Sequence, residues 1–312
     1  MPRLSFSRSE EGLLAALHAL ARARGTGDRN GEGEVLLALS QLVKWVRSDN
    51  EESPFNRAET LALEALQAFR ASGNEHDQVR ALISAISPFN KKVLDERLAE
   101  AERLARKLGD RELIADVVAA KARGAGLADR EAAKRYALQA LELYRELGDT
   151  FGMAGCHFSL SIALGEDAEK RQHAIDAFHC YRAAGNKSEA GRALSLAQMN
   201  CNTDEEYIAL EPLFKVALDD AQESGHRSNE KSCYLFLGRI AEKKGDLEEA
   251  LTYKRWEAEL AAAEGGTPLE KWERDVEMTE MLIAFAQANG DQEGASSFRA
   301  ELKRLKKSKP KR

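Results

Sequence analysis

The sequence predicts an all-α protein built of stacked helical hairpins, and three observations lead to this prediction. The surroundings of several glycines repeat: Arg-Ala-Ser-Gly-Asn ends at Asn74 and Arg-Ala-Ala-Gly-Asn at Asn186. The composition, with 31% charged residues, 6% aromatic residues and six prolines in 312 residues, favours helices. A repeat of 36 to 40 residues is typical of stacked helical hairpins. That spacing separates Gly73, Gly109, Gly148, Gly185, Gly225 and Gly265.

The helix after each of these glycines carries apolar residues at positions i, i+4 and i+7, as in Val79, Ile83 and Ile86. This stripe indicates a helix that is buried on one side. A small residue follows the i+4 position in five hairpins and would let a neighbouring helix approach closely. These residues are Ser84, Ala120, Ser159, Ser195 and Gly238.

Caps indicate where several second helices begin, because a Thr or Asp is followed three residues later by Glu. The pairs are Thr203 with Glu206, Asp246 with Glu249, and Thr267 with Glu270. Together the signals predict helices near 9–24, 33–47, 55–72, 76–87, 92–108, 111–123, 130–147, 150–164, 168–184, 187–200, 204–224, 228–244, 247–264, 268–289 and 292–307.

The domain prediction has three parts. Residues 1–72 are irregular helices that cap the array, with a flexible loop at 25–33. Residues 73–301 are the repeat array, and residues 302–312 are a basic, disordered tail that also overlaps the end of the last predicted helix. Terminal repeats are expected to be atypical because one of their faces meets water.

Charge and composition restrict the partners and the location. Seven of the last ten residues are basic, and without them 39 basic residues stand against 52 acidic ones, so the remaining chain is near −13. An acidic surface repels nucleic acids and anionic membranes, which leaves the tail as the expected site of any nucleic-acid contact. No signal peptide or membrane span is predicted, and the four cysteines lack CxxC spacing, which favours a cytoplasmic protein with structural thiols.

One hairpin resembles a tetratricopeptide repeat (TPR). Its large aromatic residue, Leu-Gly pair, turn glycine and later alanine stand at Tyr234, Leu237, Gly238, Gly245 and Ala250. Lys254 departs from the pattern, because the family usually has an aromatic residue there. The resemblance covers residues 73–307, whose repeats look like the longer TPR variants of bacterial regulators and scaffolds. It implies a right-handed superhelical solenoid of antiparallel helix pairs, with the first helix of each pair lining a concave groove.

Five polar residues would face a ligand in that groove. Bound chain ends or acidic side chains of a peptide would suit the three cations among them. The alternative is a solvated helix face without a ligand. The five residues are Lys121, Arg192, Asn200, Arg239 and Glu242.

Metal binding, cofactor binding and catalysis are not expected. Cys156 adjoins His157, His179 adjoins Cys180, and His173 lies nearby in sequence. Adjacent residues of a helix point about 100° apart, however, and do not converge on one ion. The carboxylates belong mostly to caps and i,i+4 pairs, and no nucleophile stands beside a base.

The leading hypothesis is a non-enzymatic scaffold or adaptor that binds a protein or peptide segment in its groove. The first alternative is a sensor module of a bacterial signalling system that responds to a ligand or peptide. The second is nucleic-acid binding through the basic tail. No membrane partner is expected.

Overall fold

The computed structural model describes residues 10–43, 53–86, 91–126, 128–163, 165, 167–263 and 267–310. All regular elements in these ranges are α-helices, so the predicted all-α class of stacked helix pairs is confirmed. Two compact units make up the chain, Met1–Leu164 and Gly165–Arg312. This division falls inside the predicted hairpin of helices 150–164 and 168–184.

The first unit has eight helices in its described part. Consecutive helices pack against each other. In addition, α2 contacts α4, α4 contacts α6, and α6 contacts α8. The unit therefore has the two layers expected of stacked hairpins. The helices are α1 (Glu10–Thr26), α2 (Arg29–Leu42), α3 (Pro54–Ser72), α4 (Glu75–Ser84), α5 (Lys91–Leu108), α6 (Arg111–Ala125), α7 (Arg130–Leu147) and α8 (Thr150–Ala163).

A continuous hydrophobic cluster runs from Ala16 to Val117 and crosses the predicted boundary between residues 72 and 73. Phe69 belongs to this cluster and is fully buried. The ring of Phe69 occupies the place of a side chain at Gly33, where a Cβ would lie 2.6 Å from Cε1. Residues 53–72 and 75–84 thus share one core, and the capping role of residues 1–72 stays a prediction.

The second unit also has eight helices in its described part. Here α9 packs on α10, α12 on α13, α13 on α14, and α15 on α16. The helices are α9 (Asp167–Ala183), α10 (Lys187–Met199), α11 (Asp204–Ile208), α12 (Glu211–Ser224), α13 (Arg227–Lys244), α14 (Leu247–Ala263), α15 (Pro268–Ala288) and α16 (Gln292–Lys307).

A single helix over 204–224 was predicted, and the structure corrects this to α11 and α12. Pro212 lies in the first turn of α12. Because proline has no N–H and its ring clashes with the carbonyl four residues earlier, it is tolerated at a helix start and not in a helix interior. The chain therefore breaks just before Pro212.

The glycine period marks helix ends as predicted. Gly73, Gly148 and Gly225 are C-caps with φ between 66° and 73°. Gly109 and Gly185 also have positive φ. Residues other than glycine rarely adopt this left-handed conformation, which explains the recurrence. Gly265 lies outside the described residues.

The predicted loop at 25–33 is mostly helical, which corrects the sequence interpretation. The side chain of Asp28 accepts a hydrogen bond from the Gly31 amide at 2.9 Å and starts α2. The Glu32 carboxylate then forms ion pairs with the guanidinium groups of Arg24 at 2.7 Å and Arg29 at 2.8 Å. A cap and these ion pairs offset the low helix propensity of the glycines.

The predicted disordered tail, 302–312, begins inside α16, which continues to Lys307. The indole of Trp272 on α15 donates to the Leu305 carbonyl at 2.6 Å. The Lys309 ammonium lies 4.8 Å from the centre of the same ring. These contacts hold the segment despite its basic composition. Within the described part of the chain, no helix is long and apolar enough to cross a bilayer.

Candidate functional site

A cavity of about 130 Å³ lies where α10, α12 and α13 meet, within the second unit. We call it the α10–α13 cavity. Apolar side chains and a rim of small or polar residues line it. The lining residues are Lys187, Gly191, Arg192, Leu194, Ser195, Phe214, Ala217, Ala221, Ser224, Asn229, Ser232, Cys233 and Phe236.

The apolar lining follows from the helical period of the three helices. Leu194 and Phe214 are at most 2% exposed, and the Phe214 and Phe236 ring centres are 4.8 Å apart. Phe236 is only half-buried. The cavity therefore has a fixed aromatic wall that a partner can reach.

Small residues keep the cavity open. A Cβ placed on Gly191 would lie 3.4 Å from Asn229 Nδ2, in ordinary contact. The Ser195 hydroxyl donates to the Gly191 carbonyl at 3.1 Å, and the Ser232 hydroxyl donates to the Ser228 carbonyl at 2.9 Å. Because these hydroxyls bond to their own helices, neither occupies the cavity.

A network of ion pairs borders the cavity on one side. Asp220 of α12 is 7% exposed and accepts from Arg182 of α9. Lys187 of α10 lies 3.2 Å from Asp220 and 2.7 Å from Glu223. Burial opposes ionisation of Asp220, but these two cations hold the pKa of its carboxyl below the usual range. Asp220 thus joins α9, α10 and α12.

Cys233 is the one cysteine that lines the cavity. Burial, as the main cause, raises the pKa of its thiol to about 12. At neutral pH the thiol is protonated and is a weak nucleophile. Cys233 therefore provides the cavity with apolar contact and is not an activated nucleophile.

Arg192 is the predicted groove residue that the structure places at the cavity. Its guanidinium lies 2.7 Å from Glu189 on the same helix. Arg239 is exposed on α13 and, by helical period, shares a face with Ser232 and Phe236. Two of the five predicted residues therefore belong to this surface.

The other three predicted groove residues have structural partners. Lys121 lies in the first unit and bonds to Glu102 of α5 at 2.6 Å. The Asn200 amide donates to the Leu196 carbonyl at 2.7 Å. Glu242 lies 3.1 Å from Lys254. For these residues the ion pairs and hydrogen bonds fit the alternative of a helix face without a ligand.

The departure from the TPR pattern at Lys254 has a structural explanation. Lys254 is 8% exposed, and its ammonium pairs with Glu242 of α13 and Glu277 of α15. Its stem passes Gly238, where a Cβ would lie 3.7 Å from Cγ. Lys254 thus replaces aromatic packing with a charged bridge between three helices.

The sequence interpretation missed Phe214, Phe236 and Asn229. The first two are apolar residues of ordinary stripes, and a stripe does not show which of its members line a cavity. A signal was available for Ser195, because it belongs to the predicted column of small residues. That column marks close helix approach, and the cavity lies beside it.

The comparisons with solved structures give low similarity. One is a STAND protein (Signal Transduction ATPase with Numerous Domains) with a tetratricopeptide repeat sensor, from Pyrococcus horikoshii. It has 16% identity and a TM-score of 0.45, and the match covers 88% of this chain and 46% of the STAND protein. Another is a circular tandem repeat protein with a novel repeat topology. It has 17% identity and a TM-score of 0.25, over 95% of this chain and 76% of the other.

Neither a protein-family model nor a curated protein matches the sequence. The match spans less than half the length of the STAND protein. The two similarities concern helical repeats and identify no ligand, partner or activity of this chain. Membership of the TPR family stays a prediction.

Proposed function

We propose that the protein is a non-enzymatic scaffold or adaptor that binds a peptide or protein segment across α10 and α13. One side chain of the partner enters the α10–α13 cavity, and Arg192 and Arg239 orient the segment. The observation that carries this proposal is the cavity itself, with its half-buried Phe236 and its open polar rim. Such an arrangement provides apolar contact at the centre and polar contact around it.

The size of the cavity favours a side chain over a small-molecule ligand. Pockets for small molecules usually measure about 300 to 1,000 Å³, whereas this cavity measures about 130 Å³. It exceeds the ~15 Å³ that one water molecule needs. A single apolar side chain is therefore the best-matched occupant, which supports the scaffold hypothesis over a sensor of small ligands.

The experiment is a peptide selection on the full chain, with the cavity filled in a matched variant. Ser195→Trp places an indole in the cavity, and Asp219→Trp places one on the exposed surface of α12. Peptides selected on the unmodified protein should lose at least about tenfold in affinity for Ser195→Trp and keep their affinity for Asp219→Trp. Circular dichroism and hydrogen exchange check that both variants fold.

Charge reversal tests the orientation separately. Arg239→Glu should weaken the same peptides about threefold to tenfold, because Arg239 is exposed and its contribution is screened. Peptides that bind Ser195→Trp and the unmodified protein equally would contradict the proposed function. A selection that yields no peptide, together with saturable binding of a small metabolite, would favour the sensor alternative.

A further inference from the structure

A second surface of the same unit carries three aromatic rings next to carboxylates. Tyr234 comes from α13, and Tyr253 and Trp256 come from α14. The centre of the Trp256 ring lies 5.3 Å from that of Tyr234 and 5.8 Å from that of Tyr253. The two tyrosines are at most 9% exposed, but Trp256 is 44% exposed. The rings thus form a rigid platform with one accessible member.

The platform borders an open depression of about 360 Å³. We call it the Trp256 depression. Its remaining lining is acidic or hydroxylic, and the described residues that line it include no basic one. Within the described chain, the nearest cation to Glu249 is the half-exposed Lys215, whose ammonium lies 3.9 Å away. The lining residues are Asp246, Glu248, Glu249, Thr252, Tyr253 and Trp256.

The ordinary roles of these carboxylates do not account for all of them. Asp246 caps α14 by accepting from the Glu249 amide at 3.0 Å, and Glu249 accepts from the Tyr253 hydroxyl at 3.2 Å. The Glu248 side chain is exposed and has no ion-pair partner among the described residues. A carboxylate that has no ion-pair partner among the described residues therefore lines the same depression as an accessible indole.

Burial and hydrogen bonds fix the two tyrosine rings of the platform. The Tyr234 hydroxyl accepts from Gln222 at 2.9 Å and donates to Glu230 at 3.2 Å. Burial, followed by the charge of Glu249, raises the pKa of Tyr253 to about 12, so this ring is neutral at physiological pH. Fixed aromatic rings lose little conformational entropy when a partner binds.

We propose that the Trp256 depression binds an arginine side chain of a basic partner peptide. The guanidinium stacks on the face of Trp256, and Glu248 and Glu249 accept its hydrogen bonds. Aromatic faces attract cations, and a planar guanidinium both stacks and forks to carboxylates. The charge of the depression is complementary to this occupant. The site is separate from the α10–α13 cavity and does not depend on the function proposed for it.

The test is saturation-transfer NMR on the full chain with three small probes, N-acetyl-arginine amide, N-acetyl-lysine amide and N-acetyl-citrulline amide. Citrulline has the shape of arginine without its charge. The ligand signals report binding, so variants that lack the indole remain measurable. We expect saturable binding of the arginine probe, severalfold weaker binding of lysine, and no detectable binding of citrulline.

Variants locate the binding. Trp256→Ala should abolish the arginine signal, and Glu248→Gln, which alters an exposed side chain, should weaken binding about threefold to tenfold. Glu293→Gln removes the same charge from exposed α16 and is the matched control. Equal binding of arginine and citrulline would overturn the proposal. So would unchanged binding by folded Trp256→Ala, or equal weakening by Glu248→Gln and Glu293→Gln. Ser195→Trp should leave the arginine signal unchanged.

Discussion

Two glycines in helix interiors should respond in opposite directions to the same substitution by alanine. Gly33 lies in α2 of the first unit and Gly238 in α13 of the second. Alanine is favoured over glycine in a helix by about 1 kcal/mol at either position. The difference between the sites is therefore the space available for one added methyl group.

At Gly238 the added Cβ would meet its nearest neighbours at 3.5 to 3.7 Å, which is ordinary van der Waals contact. We expect Gly238→Ala to stabilise the second unit by about 0.5 to 1 kcal/mol. At Gly33 the Cβ would lie 2.6 to 2.8 Å from three ring atoms of Phe69. Phe69 is fully buried and has no room to move, so overpacking of about 3 kcal/mol outweighs the helical gain. The expected net loss is about 2 kcal/mol.

The assay is hydrogen exchange followed by mass spectrometry, which reports the free energy of opening for each segment. A local measurement is needed because the chain has two units and repeat arrays often unfold without full cooperativity. Segments of α2 and α3 should exchange faster in Gly33→Ala, and α13 and α14 slower in Gly238→Ala. Unchanged protection around Gly33, or a loss above 1 kcal/mol at Gly238, would refute the packing argument.

Two further substitutions test contacts of the second unit. Asp220→Asn should lower the free energy of opening of α12, measured by hydrogen exchange at neutral pH, by roughly 1 to 2 kcal/mol, because the Arg182 partner is partly exposed. The pKa of Asp220 is lowered in the folded state, so its stabilisation is present above the unfolded value, near 4, and is lost as the pH falls through the folded pKa. The unmodified protein should therefore lose its stability advantage over Asp220→Asn progressively from pH 7 to pH 3. An advantage independent of pH would contradict a lowered pKa of Asp220 in the folded state. Trp272→Phe removes the hydrogen bond to Leu305 and should weaken protection of the end of α16 by about 1 kcal/mol, whereas unchanged exchange there would show that this bond does not hold the segment.

Much of the fold was predictable because it depends on local rules. Among the described residues, Gly73, Gly109, Gly148, Gly185 and Gly225 mark helix ends since their φ is positive. The side chains of Thr203, Asp246 and Thr267 accept from the amides three residues later, as predicted. These signals involve residues that are close in sequence. For the same reason the helix bounds agree within a few residues over most of the described chain.

The failures have local as well as long-range causes. The predicted helix over 204–224 breaks before Pro212, and the segment at 25–33 is helical because Asp28 caps α2 and Glu32 pairs with Arg24 and Arg29. The basic C-terminal segment reads as disordered until Trp272 is seen to bind Leu305. Composition describes average behaviour, and a single well-placed long-range contact reverses it.

The candidate site was less predictable than the fold. Arg192 and Arg239 lie on the surface proposed to bind a partner, although Arg192 also pairs with Glu189 of its own helix. Lys121, Asn200 and Glu242 bond within the protein, away from that cavity. A helical period shows which residues share a face. It does not show which of their charges are already neutralised by a neighbouring helix.

The most direct measurement of partner binding is photocrosslinking from the rim of the α10–α13 cavity. A photoreactive phenylalanine analogue that replaces Ser232 lines the cavity. The same analogue in place of Asp219 lies on the exposed surface of α12 and is the control. Proposed binding across α10 and α13 predicts that position 232 captures a defined segment of a partner protein in native lysate and that position 219 does not. It also predicts that Ser195→Trp removes this adduct. Equal capture from both positions, or an adduct that persists in folded Ser195→Trp, would contradict the account.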